Sequence, residues 1–127
     1  MFGPAGHAYL HLNYGVHWCL NAVTGPEGYP AAVLLRALEP LQGLARMRAR
    51  RGDGRDRDLA RGPGRLTRAL AIGPELQRHP LDRPPLYLAE GDPVPDEAVE
   101  RGPRIGITRA AALPLRFYIR GSPWVSR

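Results

Sequence analysis

The stretch 7–21, HAYLHLNYGVHWCLN, constrains the fold of this chain more than any other. Tyr9, His11 and Asn13 alternate with Leu10 and Leu12, the period-2 pattern of a half-buried strand. Gly15 breaks the run, as glycine does at a bulge or a close backbone approach. The pattern therefore predicts a strand, a bend at Tyr14-Gly15 and a second short strand. Tyr14 then sits on a projecting turn, with polar aromatics just behind it. A planar side chain at such a tip suits insertion into something flat. The competing reading is a surface tyrosine that caps the edge of the core.

The chain has 127 residues, enough for one domain with a real core. Residues 24–30, TGPEGYP, read as a loop. Val33–Leu38 is an apolar run interrupted only by Arg36, and reads as a central strand. Pro40 suits a first helical turn. Leu41–Arg50 then reads as a short amphipathic helix with a basic face. Residues 51–61 alternate charge around two glycines and read as an exposed loop. A Gly62-Pro63-Gly64-Arg65 turn precedes a helix over Leu66–Ile72. From Gly73 to Arg104 the chain reads as loops with one strand at Leu86–Ala89. Strands are expected at 104–108 and 115–120, followed by an extended tail containing Trp124. Strands first, interspersed helices and no βαβ regularity predict an α+β single domain, mostly antiparallel sheet with a few short helices.

Charge bears on partners. All 18 basic residues are arginine and the net charge is +6. Arginine's planar fork binds phosphate in bidentate fashion, so a polyanionic partner is consistent with the balance. Cys19 is the single cysteine, so an internal disulfide is impossible, which fits a reducing compartment. No apolar run reaches membrane-spanning length, and the first residues do not read as a signal peptide. The expectation is a cytoplasmic protein.

Four candidate sites follow from the residues. His7 and His11 would share a strand face roughly 13 Å apart at about 3.3 Å per residue, too far to bind one metal ion. His17 and Cys19 share a face, but Cys19 among Val16, Trp18 and Leu20 reads as a buried structural thiol. Gly64 and Arg65 at a glycine-rich helix start offer N–H groups and charge to a phosphate. The alternative there is an ordinary helix start. Arg36 in an apolar run is costly unless it is paired or faces a ligand cleft. Asn21 is the other polar group able to line such a cleft.

GHAYLHLNYGVHWCLN, VLLRALEPLQGLARMR, GPGRLTRALAI, RIGIT and LRFYIRGSPWVS, in this order, resemble the alkyladenine (3-methyladenine) DNA glycosylase family. The blocks cover most of the chain; residues 51–61 and 73–100 match only loosely. The resemblance implies DNA base-excision repair on double-stranded DNA containing alkylated or deaminated purines. The damaged nucleotide is flipped out and its N-glycosidic bond is hydrolysed, with no metal or other cofactor. It implies a monomer, nucleoid-associated if bacterial. Tyr14 matches the family's intercalating wedge. Asn21 matches a pocket asparagine that excludes guanine through its 2-amino group, and Arg36 matches a pocket-lining arginine. Arg65, with Gly64, matches a position beside the DNA backbone. His11 stands where the family usually has a base-stacking tyrosine, and imidazole is a smaller platform.

One departure matters. In the family, a Glu-x-Glu-Ala-Tyr-type segment ahead of the MFGPAG-like loop carries the water-activating glutamate. Met1 aligns with an internal methionine, so residues 1–127 are expected to form the C-terminal two-thirds of the family domain. No catalytic general base is then expected within them, and Glu39, ahead of Pro40, reads as structural. The isolated chain is expected to unfold less cooperatively than a complete domain. The resemblance implies a DNA glycosylase that acts only if its missing part is supplied. The alternative is a non-catalytic DNA-binding or damage-sensing remnant.

Overall fold

The computed structural model describes residues 3–28, 31–52, 54–103 and 115–125. The strand expected at 104–108 lies outside the described residues. Within them the chain is α+β, with three antiparallel sheets and two helices. β1 (Ala8–Asn13) and β2 (His17–Val23) form the expected hairpin, in the register Leu10 opposite Leu20 and Asn13 opposite His17. β3 (Ala32–Leu34) pairs with the far side of β2, giving the order β1-β2-β3. β4 (Asp82–Arg83) with β5 (Leu86–Tyr87), and β6 (Val99–Gly102) with β7 (Arg116–Ile119), make two small ribbons.

The period-2 pattern divides the hairpin into two faces. Ala8, Leu10 and Leu20 are buried against Ala60, Leu66, Ile72 and Leu81. Leu66 comes from α2 (Pro63–Ala69), and it is fully buried. α1 (Leu44–Arg51) lies against α2 through Met47, Ala69 and Leu59. Burying a leucine side chain contributes about 1.5–3 kcal/mol, so Leu20, Leu59 and Leu66 anchor the fold.

Several expectations are corrected. Of the run Val33–Leu38 only Val33 and Leu34 are in a strand, the three-residue edge strand β3, rather than a central strand. After Leu35 donates to Leu20 O, the chain leaves the sheet, Ala37 pairs with Arg61, and Leu38 donates to Ala60 O. The apolar run thus divides its hydrogen bonds between two neighbours. Pro40 does not open α1. Gly43, at φ 73°, takes the left-handed turn, and the helix starts at Leu44. Leu41 is 78% exposed, so it is not on the packed face. The segment 51–61 is only partly an exposed loop, because Leu59 and Ala60 plug the space between the helices and the sheet. α2 begins at Pro63 and ends before Ile72, whose N–H still donates to Thr67 O. The Leu86–Ala89 strand is two residues long.

The outer edge of β1 is closed by the segment 77–81. Ala8 N–H donates to His79 O and Arg78 N–H to Ala8 O, while Leu81 N–H donates to Gly6 O. At Leu10 a side chain replaces the strand: Gln77 Oε1 accepts from Leu10 N at 2.7 Å, and Gln77 Nε2 donates to Leu10 O at 2.9 Å. Edges left open invite unwanted pairing. Gln77→Ala is expected to lower stability by about 1–2 kcal/mol, two modest hydrogen bonds, read as a lower denaturation midpoint at unchanged slope. An unchanged midpoint would show that water replaces the amide without loss.

Candidate nucleic-acid interface

The hairpin tip is built by an unusual turn. Val16 N–H donates to Asn13 O at 3.1 Å, and both residues between them have positive φ, 54° at Tyr14 and 66° at Gly15. Such turns match the twist of paired strands and normally take Asn-Gly or Gly-Gly. Gly15 fits; a tyrosine there is an outlier that costs about 1–3 kcal/mol. The side chain is 81% exposed, and Val16 beside it is 70% exposed. The strained backbone holds a bare aromatic clear of the sheet, where core packing gains nothing from it. The sequence shows the projecting aromatic but not the strain, since φ is not legible from a Tyr-Gly pair alone.

α2 is fastened beside this tip. The buried Thr67 hydroxyl donates to Trp18 O at 2.7 Å. A Cβ on Gly64 would lie 3.1 Å from the Cβ, Cγ and Nδ1 of His17. The absence of a side chain at Gly64 therefore lets the start of α2 come up against β2. Arg65, the next residue, is exposed close to the tip. Thr67→Val keeps the shape and removes the hydroxyl. It is expected to cost about 1–3 kcal/mol, because Trp18 O loses its buried donor. Urea denaturation reads this directly, and no change in midpoint would show that the contact is incidental.

The second face of the hairpin carries Tyr9, His11, Cys19 and Asn21, with Tyr9 opposite Asn21 and His11 opposite Cys19. The Tyr9 and His11 rings stack at 6.4 Å between centroids and 27° between planes. Asn21 Nδ2 donates to Tyr9 O at 3.3 Å and Cys19 O at 3.4 Å, which leaves Oδ1 facing no donor among the described residues. Arg36 lies two residues beyond Leu34, which pairs with Asn21, where the chain leaves β3, and its charge acts on Cys19 of this face. The structure thus brings His11, Asn21 and Arg36 to one side of the sheet. Tyr14, Gly64 and Arg65 form a second group around the tip.

The electrostatics fit that grouping. Burial pushes the Cys19 thiol above its ordinary pKa, partly offset by Arg36. The buried thiol is a structural hydrophobe rather than a nucleophile. Burial, and then the neighbouring Arg116 charge, push Arg36 below its ordinary value. Its Nε is buried without a hydrogen-bond partner among the described residues. Glu39 is exposed and is not among the groups acting on Arg36. Sequence reasoning missed Arg116, which belongs to β7 and lies over the Tyr118 ring at 4.3 Å. Its charge acts on Arg36 across a long stretch of sequence, which no local pattern signals.

A hollow of about 340 Å³ lies elsewhere, between Gly6, His7 and Leu81–Arg83, and shares no residue with either group. Among the described residues, no three metal-binding side chains come together and no helix is long and apolar enough to cross a membrane.

Comparison with known proteins decides the family. Residues 1–123 match the sequence model of methylpurine-DNA glycosylase. The chain belongs to the methylpurine-DNA glycosylase family. It is 52% identical, over its whole length, to a protein of Nitrosospira multiformis named as a candidate 3-methyladenine DNA glycosylase, and covers 65% of that protein. Proteins with the same name from Chlorobaculum parvum and Methanoculleus marisnigri are 48% and 52% identical. The chain covers 60% and 68% of their lengths. The resemblance read from the five sequence blocks is thus borne out. The matched region of this methylpurine-DNA glycosylase family member includes both residue groups described above.

Proposed function

We propose that this chain forms the wedge and part of the base pocket of a DNA glycosylase that removes alkylated purines in base-excision repair. One observation carries the reading. An exposed aromatic is held at a strained hairpin tip while His11, Asn21 and Arg36 gather on the adjoining face of the same sheet. Family membership supports the chemistry.

Tyr14 enters the stack and fills the gap left by the departing nucleotide, offsetting an unstacking cost of a few kcal/mol. The flipped purine lies against Tyr9 and His11. The Asn21 amide meets the purine edge and rejects guanine, whose 2-amino group collides there. Arg36 supplies positive charge at the same face. Gly64 and Arg65 hold the phosphate backbone beside the tip. The reaction breaks the bond between purine N9 and C1′ while a water oxygen bonds to C1′. A positively charged alkylpurine leaves readily. The water-activating carboxylate comes from the family's glutamate segment, which has no match in residues 1–127. The partner is duplex DNA with alkylated or deaminated purines, bound by a monomer in the cytoplasm, at the nucleoid in a bacterial cell.

The test uses the protein at its natural length on oligonucleotides carrying hypoxanthine or guanine opposite the same base. Wild type should release hypoxanthine and spare guanine, and Asn21→Ala should narrow that ratio. An unchanged ratio would remove Asn21 from the pocket. No base release by wild type from any alkylated or deaminated substrate would contradict the glycosylase reading.

A further inference from the structure

The two helices carry a cluster of arginines, of which the tip uses only Arg65. Arg65 and Arg68 are three residues apart on α2, on one face, about 4.5 Å apart along the axis. Both are exposed, as is Arg50 at the end of α1. Arg68 Nε donates to Arg50 O at 2.9 Å, and Arg50 Nη1 donates to Ala69 O at 2.8 Å. Each helix end is thereby capped by an arginine from the other helix. This fits the negative end of a helix dipole and fixes both guanidinium groups in place. It occupies only one nitrogen of each.

Among the described residues the rest of the cluster's charge is only partly countered, by Asp58 acting on Arg51. The two nearby aspartates are engaged elsewhere, Asp56 with Arg48 and Asp58 with Arg61. Among the described residues, no carboxylate pairs with Arg50, Arg65 or Arg68. Arg51 lies among them, its Nε and Nη2 on the carbonyls of Leu59 and Asp58. Burial and the nearby Arg65 and Arg68 charges push it below its ordinary value, partly offset by Asp58. C-terminal capping accounts for one nitrogen of Arg50 and of Arg68; it does not account for Arg65, or for holding like charges together. A bound polyanion relieves that repulsion.

We propose that Arg68 and Arg50 extend the contact at Arg65 into a phosphate track for duplex DNA, running from the hairpin tip along α2 to the end of α1. This rests on the reading that the chain binds duplex DNA. The fit is to a linear phosphodiester. Arg65 and Arg68 follow one another along α2 and Arg68 is clasped to Arg50, and the series starts at the tip because Gly64 and Thr67 fasten α2 to His17 and Trp18. The step from Arg65 to Arg68, about 4.5 Å along α2, is of the same order as the rise of about 3.4 Å per nucleotide along a DNA strand. The track reads no sequence and no lesion; it sets the direction in which the duplex leaves the wedge.

The test is fluorescence anisotropy with the protein at its natural length, on undamaged and abasic-analogue duplexes, between about 50 and 200 mM salt. Each lost phosphate contact lowers the slope of log affinity against log salt by about 0.9. Arg68→Gln and Arg50→Gln should each lower the slope on both duplexes by about this amount. Arg68→Lys loses the clasp geometry but keeps the charge, and should keep the slope. Arg78→Gln removes an exposed charge from the segment covering β1, and should leave the slope unchanged. Slopes equal to wild type for Arg68→Gln and Arg50→Gln, with a reduced slope for Arg65→Gln, would overturn the track. So would a wild type that binds neither duplex. Loss of only the preference for the abasic duplex would contradict the wedge-and-pocket reading and leave the track standing.

Discussion

On duplex DNA carrying hypoxanthine, ethenoadenine or 3-methyladenine, the 127-residue chain by itself is expected to release base about 10²–10⁴-fold more slowly than a relative with the family's glutamate segment. That range is the usual contribution of a positioned general base. Among the described residues no carboxylate acts on Arg36. Asp56, Asp58, Asp82 and Glu100 are each held by an arginine. Glu39 is exposed ahead of Pro40. The groups acting on Arg36 are Arg116 and Cys19, and neither is a base that takes a proton from water at neutral pH. The loss should be smallest for 3-methyladenine, whose positive charge makes it a good leaving group, and largest for neutral hypoxanthine. Single-turnover assays on the chain expressed alone measure both. Rates matching a full-length relative would show that residues 1–127 hold their own base.

The hairpin was legible because its pattern is local. Alternation from Tyr9 to Asn13 and a glycine at the bend fix register and tip together. Arg36 was legible as an anomaly, a charge in an apolar run, though the strand expected through it ends at Leu34. The strand stops because Ala37 and Leu38 find partners at Ala60 and Arg61, a pairing across more than twenty residues. The same limit hid Leu59. Charge alternation around it reads as loop, yet its side chain is fully buried between the helices. Gly64 reads as a phosphate-binding glycine, whereas its contact with His17 also makes it a packing residue. Gln77, which completes the edge of β1, has no local signature at all.

The larger claim concerns Tyr14. A stacked aromatic contributes about 1–3 kcal/mol to binding, so Tyr14→Ala should weaken affinity for abasic-analogue duplex by about 5- to 150-fold. Intact duplex offers no gap, and its affinity comes from charge. The variant should therefore bind intact duplex nearly as well as wild type. Stability should move the other way. Asparagine tolerates the left-handed backbone that tyrosine is forced into, and Asn-Gly is the favoured pair for this turn. Tyr14→Asn should raise stability by about 1 kcal/mol while losing the wedge. A residue kept for packing would behave oppositely, since its replacement would destabilise the fold and affect both duplexes alike.

The most direct measurement is the affinity of Tyr14→Asn for abasic-analogue and intact duplexes, with its thermal stability, in the protein at its natural length. The account predicts a more stable protein that has lost its preference for the abasic duplex. A less stable protein that keeps the preference would contradict it.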